Sequence, residues 1–291
     1  MNALLAWYFV AVWGAGYVLT KLGLQYAPPF TFLSLRFLFG LVCLLPVLPF
    51  LKVQWPSGPV QLGHLVVAGL LMHVVQLGGS HYAQYLGMSA GVSALIFSCQ
   101  PLATAFIATR FLGERLRPGQ WLGVALGLAG VSLVVWHKMD IREVTPGSFL
   151  GALLGLAGVT AATLYQRHFS PRTDLKAAAL VQFAVAAALF VPLGIVVEGF
   201  EIRFSIELVL AVFFLVIFTT ILGVSVLNYL MRHGEAFRVA SMMYLPPVFA
   251  VLLELAMFGL LPDPVAIAGM AIACAGVAMT VWKPRWRSSI S

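Results

Sequence analysis

Residues 125–136 read "ALGLAGVSLVVW", and residues 271–282 read "AIACAGVAMTVW". Six of the twelve positions are identical: Ala125, Ala129, Gly130, Val131, Val135 and Trp136 return as Ala271, Ala275, Gly276, Val277, Val281 and Trp282. The offset is 146 residues, about half of the 291-residue chain. It continues upstream without a gap. Ala90, Ala94, Pro101, Gly113, Pro118 and Gly123 match Ala236, Ala240, Pro247, Gly259, Pro264 and Gly269. The chain reads as two copies of one unit.

Composition identifies the solvent around that unit. The chain is 61% hydrophobic and 9% charged, with mean hydropathy +0.98. A soluble domain carries about 25% charged residues, so too few charges remain to coat a globule. The apolar residues come in blocks of about 20, the length that crosses hydrocarbon as a helix. Runs such as "IELVLAVFFLVIF" (206–218) lack the alternation of a membrane β-barrel. The expectation is an all-α membrane protein in the lipid bilayer, with ten spans at 3–22, 30–51, 61–84, 90–110, 118–136, 148–167, 176–197, 207–231, 236–258 and 264–282. The first block has no basic leader and ends at Lys21, which reads as a retained helix rather than a cleaved signal. The longest connection, "HKMDIREVTPG" (137–147), divides the chain into residues 1–140 and 141–291, five spans each. An odd number of spans turns the second half upside down, the inverted repeat common in secondary transporters.

Charge sets an expected orientation, because Lys and Arg collect in cytoplasmic connections. With the N-terminus in the cytoplasm, inside segments hold twelve of them and outside segments four: Lys21, Lys138, Arg142 and Arg203. Both termini are then cytoplasmic. The repeat agrees: "GERLRP" (113–118), expected inside, corresponds to "GLLPDP" (259–264), expected outside. The formal charge of +7 follows from this scatter at span ends, with no basic domain for nucleic acid. Cys43, Cys99 and Cys274 lie within apolar spans, which suggests neither a disulfide framework nor a metal site. No cofactor motif occurs, and no GxxxxGK[ST] that would bring an ATPase.

Two stretches resemble a known repeat. "WGAGYVLTK" (13–21), followed by Pro28, Pro29 and Arg36, resembles its opening. "MSAGVSALIFSCQPLATAFIATRFLGERLRPGQWLGVALGLAGV" (88–131) is similar to its continuation, with mid-helix Pro101, the "GER" turn and the closing glycines. The repeat is that of the EamA transporters of the drug/metabolite transporter superfamily. The resemblance implies ten helices in two inverted repeats and export of metabolites or amino acids through a bacterial inner (plasma) membrane. The second half lacks "GER", and Glu254 lies earlier, so no role of Glu114 carries over.

Polar residues inside apolar spans mark candidate sites, since hydrocarbon penalises them. In the third span His73, Gln76, Ser80 and Gln84 share one helical face. In the fourth, Phe97, Gln100 and Thr104 share a face beside Pro101, which frees a carbonyl. The ninth span repeats the device with Tyr244, Pro246 and Pro247, so Pro101, Pro246 and Pro247 are expected kinks. Trp13 and Tyr17 lie one turn apart in the first span, Thr163 in the sixth and Thr219 in the eighth. Together these form the expected substrate-binding set, while each polar residue has a packing or backbone-bonded alternative. Arg36 and Glu254 stand at similar depth. They read as a charge pair, with Lys21 as another partner for Glu254, or as an outer gate that binds the charged end of a substrate. Gly119, Gly123, Gly127 and Gly130, echoed by Gly269, Ala273 and Gly276, make small-residue stripes on the fifth and tenth spans. They suit scaffold packing or a homodimer through those helices.

An intramembrane enzyme is disfavoured. Ser80 and His81 are adjacent on a helix and point about 100° apart, so they make no nucleophile–base pair. The expected function is secondary export of a small neutral or zwitterionic metabolite, such as an amino acid, by alternating access. The rival is an efflux pump for lipophilic or cationic drugs, which would want a carboxylate in the path.

Overall fold

The computed structural model describes residues 3–50, 52–111, 118–140, 144–170, 173–224, 226 and 245–281. These are nearly all helical, and no strand occurs among them. α1 is Ala3–Gly23, and α2 is Pro29–Leu44, continued by a 3-10 stretch, Leu45–Phe50. α3 (Pro59–Gly69) passes through a π-turn, Leu70–Val75, into α4 (Gln76–Tyr85). α5 (Ala90–Ser98) and α6 (Gln100–Phe111) are separated at Cys99. α7 (Pro118–Asp140), α8 (Pro146–Phe169) and α9 (Leu175–Glu198) follow. α10 (Ile206–Phe214) leads into a second π-turn, Leu215–Gly223. α11 (Pro246–Phe258) and α12 (Pro264–Val281) complete the described chain. Seven helical segments are long and apolar enough to cross a membrane.

The ends of these helices are legible in the residues. Proline opens α2, α3, α7, α8, α11 and α12, where its missing N–H costs nothing and its fixed φ suits the first turn. Ser89, Thr145 and Ser205 accept the N–H of Val92, Ser148 and Leu208 as N-caps of α5, α8 and α10. Gly199 and Gly259 close α9 and α11 at φ 63° and 68°, the left-handed conformation that a Cβ disfavours.

Three predicted spans differ from the helices found. Span 90–110 is broken, with Pro101 in the first turn beyond the break. Span 118–136 extends to Asp140, which lets Lys138 reach Asp263 at 2.9 Å. In span 236–258 the described helix begins at Pro246, so Pro246 and Pro247 start α11, and Tyr244 lies outside the described residues.

Packing between helices relies on close backbone approach, because lipid tails are as apolar as the side chains and supply no hydrophobic drive. α7 and α12 pair along their small-residue stripes. A Cβ on Gly130 would lie 2.4 Å from the Ala273 nitrogen and 2.5 Å from the Gly269 carbonyl oxygen. The two stripes therefore face each other within one chain, and any surface between copies must come from other faces of these helices. α4 and α8 cross in the same way: a Cβ on Gly79 would meet the Gly151 carbonyl oxygen at 2.5 Å. α2 and α9 instead interlock aromatic rings, Phe37 against Phe183 at 5.4 Å and against Phe190 at 6.0 Å.

Candidate functional site

At one end of the bundle, carboxylates from the second half of the chain hold helix N-termini of the first half. Glu254 of α11 accepts the backbone N–H groups of Ala90 and Gly91, both at 3.1 Å, at the start of α5. It also forms an ion pair with Lys21 of α1, whose Nζ lies 5.3 Å from the centre of the Phe258 ring. Glu198, at the end of α9, accepts Phe30 N at 3.0 Å, Thr31 N at 2.7 Å and Thr31 Oγ1 at 2.8 Å at the start of α2. Free N–H groups and the positive end of the helix dipole make such N-termini natural carboxylate partners. Of the two partners weighed for Glu254 in the sequence, the structure gives Lys21; Arg36 is not paired with it.

A cavity of about 270 Å³ adjoins this fastening, bordered by Lys21, Ser89, Lys138, Glu254 and Met270. Lys138 is paired with Asp263 in the connection between α11 and α12. Burial raises the Asp263 carboxyl. The Ala266 N–H, the Lys138 hydrogen bond and charge, and His137 outweigh that and hold it below its ordinary value.

A larger cavity, about 550 Å³, lies towards the other end of the α5–α6 segment, between α6 and α8. Ile107, Leu164, Tyr165, Arg167 and His168 line it. His64 of α3 is 2.7 Å from the Tyr165 hydroxyl, and its ring stacks on Phe169 at 4.8 Å. This aromatic group was not singled out in the sequence. A His in a span with Tyr and Phe four residues apart at the end of another was the available signal.

Between the two ends the structure gathers part of the expected set. Gln100 Nε2 donates to Thr163 Oγ1 at 2.9 Å, joining α6 to α8, while Thr163 donates to its own helix at Val159 O. Tyr17 faces Phe97, with ring centres 6.2 Å apart. A Cβ on Gly155 would meet Phe97 at 2.7 Å and the Gln76 carbonyl oxygen at 2.9 Å, so α4, α5 and α8 converge here. Ser80 is buried on the same crossing. Trp13 packs on Phe9, at 4.7 Å, and against Gly223. The hydroxyls of Thr104 and Thr219 are buried without partners.

His73 is placed differently. Its ring is edge-on to Phe37 at 5.2 Å and to Phe183 at 5.5 Å, between α2 and α9. Aromatic neighbours enclose it, and neither cavity reaches it. Arg36 of α2 is 8% exposed and donates from Nη2 to Thr220 Oγ1 at 3.1 Å. His81 is 2% exposed, while Tyr82 and Tyr85 on the same helix are exposed. The residues missed by sequence reasoning are Glu198 and His64. Glu198 reads as an interfacial charge, because its partners, two backbone N–H groups and the Thr31 hydroxyl, lie more than 160 residues away.

Comparison with known proteins agrees with this architecture. A probable amino-acid metabolite efflux pump of Salmonella typhimurium is 25% identical over 295 residues, covering 98% of this chain and 96% of the relative. A protein of the same description from Escherichia coli K12 is 24% identical, covering 99% and 97%. YedA, an uncharacterized inner membrane transporter of Escherichia coli, is 28% identical over 253 residues, covering 87% and 80%. A solved crystal structure superposes with TM-score 0.69 at 20% identity, over 95% of this chain and 94% of its own, which speaks for the fold. A sequence profile of the EamA-like transporter family matches residues 1–136 and 144–282. With its apolar helices and a profile match over nearly its whole length, the chain is a multi-pass membrane protein and belongs to the EamA-like transporter family.

Proposed function

We propose that the protein is a secondary transporter of ten spans, two inverted five-helix halves with both termini in the cytoplasm. It exports small neutral or zwitterionic metabolites, amino acids among them, across the inner membrane by alternating access. One observation carries this reading: the bundle is fastened at one end by Glu254 and Glu198 and holds its larger cavity towards the other. The charge bias assigns the fastened end to the outside and the cavity to the cytoplasm. A state closed outward and hollow inward is the one in which an exporter loads. The uncharged and aromatic groups between the ends, Gln100, Thr163, Tyr17 and Phe97, suit an amphipathic solute. The efflux-pump names of the relatives support the same direction. The rival, efflux of lipophilic cations, needs a carboxylate open to the path, and Glu254 is 5% exposed and engaged by Lys21.

Counterflow into proteoliposomes, with a panel of labelled amino acids and a labelled lipophilic cation, tests the proposal. Accumulation of at least one amino acid is expected. Accumulation of the cation alone would replace this reading with its rival.

A further inference from the structure

Arg36 is a buried cation with no anion beside it among the described residues. It is 8% exposed in the middle of α2, and its one hydrogen bond among the described residues goes to Thr220. Glu254 is occupied by Lys21 and the start of α5, and Glu198 by the start of α2. A guanidinium has five N–H donors in a planar fork and does not shed its charge. Burying it without a counter-ion is costly in protein and costlier in a bilayer.

The surroundings of Arg36 are arranged around it. Thr220 sits on the π-turn Leu215–Gly223 and passes its own proton to Leu215 O at 2.9 Å, so its oxygen is free to accept from Arg36. That bond fixes the fork while using one of its donors. His73, on the other π-turn, and His81 both lie within electrostatic reach of Arg36. His73 Nδ1 is buried without a partner. Turns of this kind are rare in helices and recur at functional sites.

We propose that Arg36, held by Thr220, is the subsite that binds the carboxylate of the transported solute. A planar carboxylate matches the free edge of the fork with two parallel hydrogen bonds, and one negative charge cancels the one positive charge. A phosphorylated solute would need more than one cation here, and Arg36 stands alone among the described residues. This assignment rests on the exporter reading and refines it: the solute is a carboxylate or a zwitterion, bound by its acid end. Binding removes the uncompensated charge, so the loaded protein passes between its two states more easily than the empty one.

The test uses purified full-length protein, with thermal melting in detergent as a binding readout independent of transport. The probes are L-leucine, L-phenylalanine and benzoate, each against its amide. The acids are expected to raise the melting temperature of the wild type, and the amides to require at least about tenfold higher concentration for the same shift. Arg36→Gln is expected to abolish the preference for acid over amide. Arg36→Lys keeps the charge but not the fork, and is expected to retain the preference at about tenfold weaker affinity; it carries the test if Arg36→Gln is not monodisperse. Acid preference persisting in Arg36→Gln, or a wild type indifferent to all three acids, overturns the assignment. Acid-specific shifts without counterflow of any amino acid would sink the exporter reading and leave the anion subsite standing.

Discussion

Lys21 Nζ and Glu254 Oε1 meet at 2.5 Å, joining residues 233 apart in sequence. The same carboxylate satisfies two N–H groups at the start of α5, so one side chain ties α1, α5 and α11 together. Removing either partner does not have the same effect. Lys21→Ala leaves Glu254 with its two backbone donors. Glu254→Ala leaves those donors and Lys21 unsatisfied, at about 1–3 kcal/mol for each buried group. Thermal melting of purified variants is expected to rank wild type above Lys21→Ala, and Lys21→Ala above Glu254→Ala. Equal melting of the two variants would contradict this division of roles.

The pairing of α7 and α12 predicts an ordered glycine series. Gly130→Ala places its Cβ 2.4 Å from the Ala273 nitrogen, a backbone atom that cannot move aside, and should cost about 1–3 kcal/mol. Gly119→Ala, in the same helix, meets nothing within 4 Å and is expected to melt like wild type. The two melting curves, taken side by side, check both halves of the prediction.

The Gln100–Thr163 bond joins the two helices that border the larger cavity. Gln100→Ala and Thr163→Val are expected each to slow counterflow of a transported amino acid about tenfold or more, with the double variant no worse than the slower single one. His73→Leu, which keeps an apolar filling between Phe37 and Phe183, is expected to slow it less. Initial rates at saturating solute give the comparison. Independent, additive losses would show that the two side chains do not act as a pair.

Asp263 gives a pH dependence with a defined sign. Its carboxyl is held below the ordinary 3.8 in the folded protein, so the unfolded chain binds the proton more readily. Its contribution to stability is complete above the ordinary value and is lost as pH falls through the lower folded value. The Asp263 side chain is still a quarter exposed, so solvent screens the pair and the effect is modest. Melting temperature recorded from pH 6 down to about pH 3 should fall in wild type and fall less steeply in Asp263→Asn.

Much of the fold was legible because bilayer thickness, proline and glycine act locally. Blocks of apolar residues bounded by Pro29, Pro59, Pro118, Pro146 and Pro264 became helices opened by those prolines. The stripes at Gly130 and Gly276 became a helix contact. The site was less legible because spacing fixes which residues share a face, not what that face meets. His73 shares a face with Gln76, yet its ring ends between aromatic residues of α2 and α9. Glu254 had three candidate roles, and only the arrival of Lys21 and the α5 N-terminus at one point separates them. Glu198 gave no signal, because two of its three partners are main-chain groups that every sequence has.

The carboxylate ties of Glu198 and Glu254 both reach from the second half to the first, and both lie where helices of the first half begin. If the two halves rock on one another as proposed, equal halves would have no preferred resting posture. Among the described residues the other end is tied by Gln54 N to Asp174 at 3.1 Å and Lys176 Nζ to Lys52 O at 2.7 Å, both exposed and so weaker. On the exporter reading proposed above, a difference of about 1–3 kcal/mol makes the empty molecule spend roughly five to a hundred and fifty times longer in one posture. The direction of pumping then need not be written into the solute path. It can be set by where the idle protein waits.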